Sequence, residues 1–96
     1  MAKIHIEKSH TLSVDVVKRR VDEMMDKMKS MGVDCEWQMD QLKVTGRGVK
    51  GKMDVSPDRV VVDLDLGLPV SMMKGKVEEM IRNGLDKKLQ SPQDNG

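Results

Sequence analysis

Ninety-six residues carrying seventeen Lys and Arg against sixteen Asp and Glu make a chain of net charge +1. That length supports one domain, and that balance excludes a global field recruiting nucleic acid or an anionic membrane. Apolar residues are 38% of the chain, with ten Met, one Trp and neither Phe nor Tyr, so the core rests on flexible side chains instead of rings. The single cysteine, Cys35, excludes an internal disulfide and fits a reducing compartment. No charged-then-apolar leader and no apolar run long enough to span a bilayer is legible, so a cytoplasmic protein is expected.

In chain order, Lys3-Ile4-His5-Ile6-Glu7 alternates polar and apolar and reads as a strand. Ser13 offers an N-cap and Asp15 suits the first turn of a helix. Val14, Val17, Val21, Met24, Met28 and Met31 recur at three- and four-residue spacing, predicting a helix from about Ser13 to Met31 with that face buried. Its solvent face carries Asp15, Arg19, Glu23 and Lys27. Gly32 should end it, with Val33 folding back on Met28 as in a Schellman stop.

Four short strands follow. Cys35, Trp37 and Met39 share one face, as do Leu42 and Val44, with Asp40-Gln41 predicted as the turn between them. Gly46-Arg47-Gly48-Val49-Lys50-Gly51 spells a dinucleotide or kinase phosphate loop, which requires a helix after it or a kinase domain around it. Instead Val49, Gly51, Met53 and Val55 alternate with charged residues, so the segment reads as a hairpin turning at Arg47-Gly48. Ser56-Pro57-Asp58 marks another turn. Val60, Val62, Leu64 and Leu66 give the clearest alternation of the chain. Pro69 suits the first turn of a second helix with a buried stripe of Met73, Val77, Met80, Ile81, Gly84, Leu85 and Leu89. Gly84 on that stripe predicts a close approach to the sheet, beneath Trp37. Residues 91–96 have the composition of a disordered tail.

The fold expected is α+β, in the order β-α-β-β-β-β-α, with two helices packed on one face of a mostly antiparallel five-stranded sheet. A right-handed crossover lets the first strand pair with the fifth, giving the order 2-3-4-5-1. One domain spans residues 1–90.

Two surfaces are candidates for binding. On the outer sheet face, Lys43, Arg47, Lys50 and Lys52 form a basic patch, with Lys52 expected opposite Asp63 and Lys50 opposite Asp65 as cross-strand ion pairs. The patch lacks the interleaved aromatics of a nucleic-acid reader, so nucleic acid is not an expected partner. Between helices and sheet, Met24, Met28, Trp37, Met73 and Met80 are candidates to line an apolar groove, suited to an acyl or other apolar ligand and hence to a small carrier. His5 and His10 read as incidental surface residues, since a zinc site needs three or four ligands and Cys35 is expected on the opposite face from His5. Cys35 among apolar neighbours lacks a base to activate it. No catalytic set, cofactor or metal is expected. The edge strand Val33 to Met39 allows at most weak self-association, so the chain is read as a monomer or weak homodimer.

Several elements taken in order resemble one family. Ile4-x-Ile6 and His10-x-Leu12 lead into an Arg/Glu-rich helix. Gly32-Val33 precedes Trp37, followed by Asp40-x-Leu42, Gly48-Val49-x-Gly51 and Leu66-Gly67. A Lys-rich helix closes on Leu85-Asp86-x-x-Leu89. The chain is similar to the polyhydroxyalkanoic acid system family, also called polyhydroxyalkanoate granule region proteins. The resemblance implies a non-enzymatic, granule-associated cytoplasmic protein of polyester storage, whose partner is the granule surface or another granule protein. It carries over no catalytic or binding residues. Val44 stands where the family pattern leads one to expect an aromatic, which weakens any argument from an aromatic granule-contacting patch.

Overall fold

The computed structural model describes residues 2–30, 32–46, 48–68 and 70–89. Its elements are β1 (Ala2–Ser9), α1 (Val14–Lys29), β2 (Asp34–Gln38), β3 (Gln41–Gly46), β4 (Val49–Val55), β5 (Arg59–Leu66), a 3-10 turn (Val70–Met73) and α2 (Lys74–Lys88). The five strands form one antiparallel sheet in the order β1-β5-β4-β3-β2, the α+β arrangement expected. Ile4, Ile6, Leu42, Val60, Val62 and Leu66 of the inner face close over Val17, Val21 and Leu85 of the helices.

Local chemistry explains most boundaries. The Val16 N–H donates to Ser13 Oγ at 3.3 Å, capping α1. At its other end Val33 N–H donates to Met28 O and Gly32 N–H to Lys29 O, each at 3.1 Å. These are the two hydrogen bonds of a Schellman stop, and Gly32 supplies its φ of +91°. Met31, placed on the buried stripe by its spacing, lies outside the described residues, as do Arg47, Pro69 and the tail. The glycine-rich segment is a hairpin: Gly46 pairs with Val49, Gly48 has φ +73°, and β4 continues as strand beyond Gly51.

The turn between β2 and β3 differs from expectation. Gln38 pairs with Gln41, so Met39-Asp40 forms the turn, one residue earlier than predicted. Both registers keep Cys35, Trp37, Leu42 and Val44 on one face, because stepping each strand by one residue changes the pairing without changing the face. Alternation therefore cannot choose between them. Lys18 discriminates from above: its Nζ donates to Met39 O at 2.7 Å, lies 3.5 Å from the Asp40 carboxylate and stands 4.8 Å from the Trp37 ring centroid. Met39 consequently sits in the turn at φ +56° and is 89% exposed, not on the inner face with Trp37.

Two further differences concern burial. His10 is 7% exposed, not a surface residue. Its Nδ1 accepts from Leu12 N–H at 3.1 Å, which places the ring proton on Nε2, where it donates to Ser56 O at 2.8 Å. The imidazole thus ties the segment before α1 to the β4–β5 turn. In α2 only Ile81 and Leu85 of the predicted stripe are buried, with Leu89 just beyond; Met73 and Met80 face solvent. Gly84 approaches α1, not Trp37: a Cβ there would lie 2.7 Å from Met24 Sδ.

Candidate functional site

The residues expected to share a groove are parted by α1. On one flank of that helix, Trp37 is half-buried, with its Nε1–H donating to Asp22 Oδ1 at 2.7 Å and Lys18 over its ring. On the other flank, Met24 meets Gly84 of α2. Two positions along α1 span a little over half a turn, so Asp22 and Met24 cannot face the same side. Trp37 therefore belongs to a clamp on the β2–β3 hairpin and contributes nothing to a helix–helix groove.

The α1–α2 contacts themselves follow an antiparallel register. Arg20 Nη1 donates to Lys88 O at 2.9 Å, Lys88 Nζ reaches Glu23 at 3.2 Å, and Met24 lies against Gly84. Continuing one turn in each helix sets Met28 level with Met80. There the seam opens: Met28 and Val77 are half-buried, while Met80 is 47% exposed. Earlier in the same stretch of chain, Met73 (53% exposed), Met72 (79%) and Leu68 (73%) are exposed as well. Four of the five exposed large hydrophobics among the described residues thus lie in one stretch, Leu68 to Met80. Lys74 and Lys76 are exposed within it.

Why this end of the molecule stays open is local. The chain leaves β5 through Gly67, whose N–H donates to Gly48 O at 2.9 Å, and Val70 covers Gly48. The 3-10 turn that follows buries none of its four residues, and α2 begins without a side-chain cap at Met73. Met72 and Met73 are accordingly left exposed.

On the opposite side, the outer sheet face holds the described part of the predicted basic patch. Lys43 pairs across strands with Lys52, Thr45 with Lys50, Lys52 with Asp63 and Lys50 with Asp65, as expected. The ion pairs expected from that register do not form. Asp63 accepts instead from His5 Nδ1, whose Nε2 lies 3.1 Å from Glu7 Oε2. Hydrogen bonding to Asp63 first, then to Glu7, holds the His5 pKa above its ordinary 6.5. Lys52 has Asp54 of its own strand at 3.9 Å. On the edge strand, Lys43 faces Glu36 and not Gln38, a consequence of the β2–β3 register. Arg47, the remaining member of the expected patch with Lys43, Lys50 and Lys52, lies outside the described residues.

Burial raises the Cys35 thiol above its ordinary value, which opposes thiolate chemistry. Among the described residues, no three His, Cys, Asp or Glu side chains are placed to hold a metal ion. None of the helices they form is long and apolar enough to cross a membrane. No curated protein and no solved structure matches the chain significantly. One family does, described as "Putative polyhydroxyalkanoic acid system protein", and its match runs over residues 4–89, from the first fully buried side chain of β1 to the last buried leucine after α2. The chain belongs to the polyhydroxyalkanoic acid system protein family.

Proposed function

We propose that this chain is a non-enzymatic accessory protein of the polyhydroxyalkanoate storage system that acts by binding, and that its contact is the methionine surface from Leu68 to Met80. The observation carrying this reading is the exposure of Leu68, Met72, Met73 and Met80 in one stretch. The family name points to polyhydroxyalkanoic acid, a polyester whose repeating units are joined by uncharged ester links. Flexible methionines adapt to an irregular surface better than fixed rings do.

Magnitude favours adsorption over a tight one-to-one complex. Fully burying a Met or Leu side chain yields about 1.5–3 kcal/mol, so four partly exposed ones give a gross gain of about 4–7 kcal/mol. The cost of association is of similar size, at least ~4 kcal/mol. Such a patch binds reversibly and needs an extended surface with many equivalent positions, which a polymer granule provides. On this reading the protein is cytoplasmic and partitions onto granules.

The test is co-sedimentation of the purified chain with isolated granules. Wild type should pellet, and the triple substitution L68S/M72S/M73S should leave it in the supernatant with an unchanged melting temperature. A wild-type chain that stays wholly in solution would remove granule binding. A variant that pellets as before would remove this surface as the contact.

A further inference from the structure

We infer that the outer face of the sheet, opposite the methionine surface, holds a site for a multiply charged phosphate anion, with Lys43, Lys50 and Lys52 as its cationic wall. This face forms a shallow concavity of about 510 Å³ that runs from Lys3 on β1 across β5 and β4 to Lys43 and Thr45 on β3. That volume lies within the range of small-molecule sites, roughly 300–1,000 Å³. Its lining holds four lysines against two aspartates, a local cationic surplus on a chain of net charge only +1.

The arrangement of these charges is what points to a ligand. Lys43 stands directly opposite Lys52, and like charges in that relation repel. Register offers a remedy, since Asp63 and Asp65 face Lys52 and Lys50. Yet Asp63 is engaged by His5, and among the described residues neither Lys43 nor Lys50 has a carboxylate within ion-pair distance, while Lys52 has only Asp54, at 3.9 Å. Two of these three ammonium groups on adjacent strands, Lys43 and Lys50, therefore have no ion-pair partner among the described residues, Lys52 has one at the edge of ion-pair range, and an anion between them would relieve the repulsion.

Chemistry narrows the anion. Lysine acts as a compact point charge suited to phosphate, whereas planar carboxylate recognition favours the arginine fork, and among the described residues the lining contains no arginine. Thr45 adds a hydroxyl beside Lys50. The lining contains no aromatic ring on which a base could stack, so recognition runs through phosphate groups and not nucleobases.

The experiment is an NMR titration of the ¹⁵N-labelled full chain with tripolyphosphate at low salt, with citrate as a carboxylate of comparable charge. Saturable shifts should centre on Lys43, Lys50 and Lys52, and citrate should bind more weakly. The variant K43Q/K50Q/K52Q should lose affinity by on the order of tenfold or more, and salt should weaken binding steeply. The control K27Q/K29Q/K74Q removes equal charge elsewhere and should retain affinity. All six positions are exposed, so both variants are expected to fold. Equal loss in the two variants, equal affinity for citrate, or no saturation by millimolar tripolyphosphate would each overturn the site. Granule sedimentation reads the other face and leaves this result independent.

Discussion

Replacing Gly51 by alanine tests the closest approach in the sheet. Gly51 lies in phase with Val49 and Met53, which are buried, and pairs with Leu64 of β5. A Cβ there would fall 2.8 Å from Leu64 Cα and overlap the carbonyl oxygen of Asp63 outright. Both obstacles are backbone, so no rotamer change relieves them, and β4 and β5 must separate locally. Overpacking of this kind costs about 1–3 kcal/mol. One or two ladder hydrogen bonds lost with it add about 0.5–1.5 kcal/mol each. The sum, roughly 2–6 kcal/mol, is a large part of the 5–15 kcal/mol that holds a typical domain together. For a domain of this size each kcal/mol moves the melting temperature by about 4–8 °C, so G51A should melt at least ~8 °C below wild type or fail to fold. Gly75→Ala is the matched control: nothing lies within 4 Å of its added methyl, and α2 should gain up to ~1 kcal/mol. Thermal and urea unfolding followed by Trp37 fluorescence measures both. A G51A chain within about 1 kcal/mol of wild type would refute the pinch between β4 and β5.

Three further outcomes follow from single contacts. Met39→Asn should raise stability by about 0.5–1 kcal/mol in urea unfolding, because asparagine recovers part of the roughly 1–2 kcal/mol that the left-handed conformation costs methionine; a fall would mean the exposed side chain makes a contact. His10→Ala should cost about 2–4 kcal/mol in the same assay by stranding Leu12 N–H and Ser56 O, and a change below ~0.5 kcal/mol would contradict that bridge. His5 should titrate in an NMR pH series with a midpoint above 6.5, and Asp63→Asn should bring it back toward that value. Because its folded pKa is raised, the stability this pairing contributes is complete below pH 6.5 and disappears as pH rises through the folded midpoint. A wild-type midpoint at or below 6.5 would overturn the assignment.

Elements governed by near neighbours were legible in the chain. Val60, Val62, Leu64 and Leu66 alternate, Ser13 caps, Gly32 stops a helix and Gly48 turns a hairpin, each by interactions within a few residues. The order and direction of the strands followed from those elements and the handedness of their connection. What escaped depended on partners distant in sequence. His10 looked like a surface residue because its acceptor, Ser56 O, lies forty-six positions away. Met73 and Met80 fit the helical period, but period alone cannot fix how wide the covered stripe is: Ile81 is buried while its neighbour Met80 is 47% exposed.

Charge patterning failed for a related reason. Cross-strand register placed Lys52 beside Asp63 correctly, yet the Asp63 carboxylate is engaged by His5 from β1 and Lys52 lies by Asp54 of its own strand. Which of two neighbours a side chain chooses is decided by rotamers and competing donors after the sheet has formed. The sequence alone thus determined a helix-covered antiparallel sheet, through local periodicity and turn chemistry. Only the tertiary structure decided which methionines stay outside and which lysines stay unpaired, because both depend on where packed surfaces end.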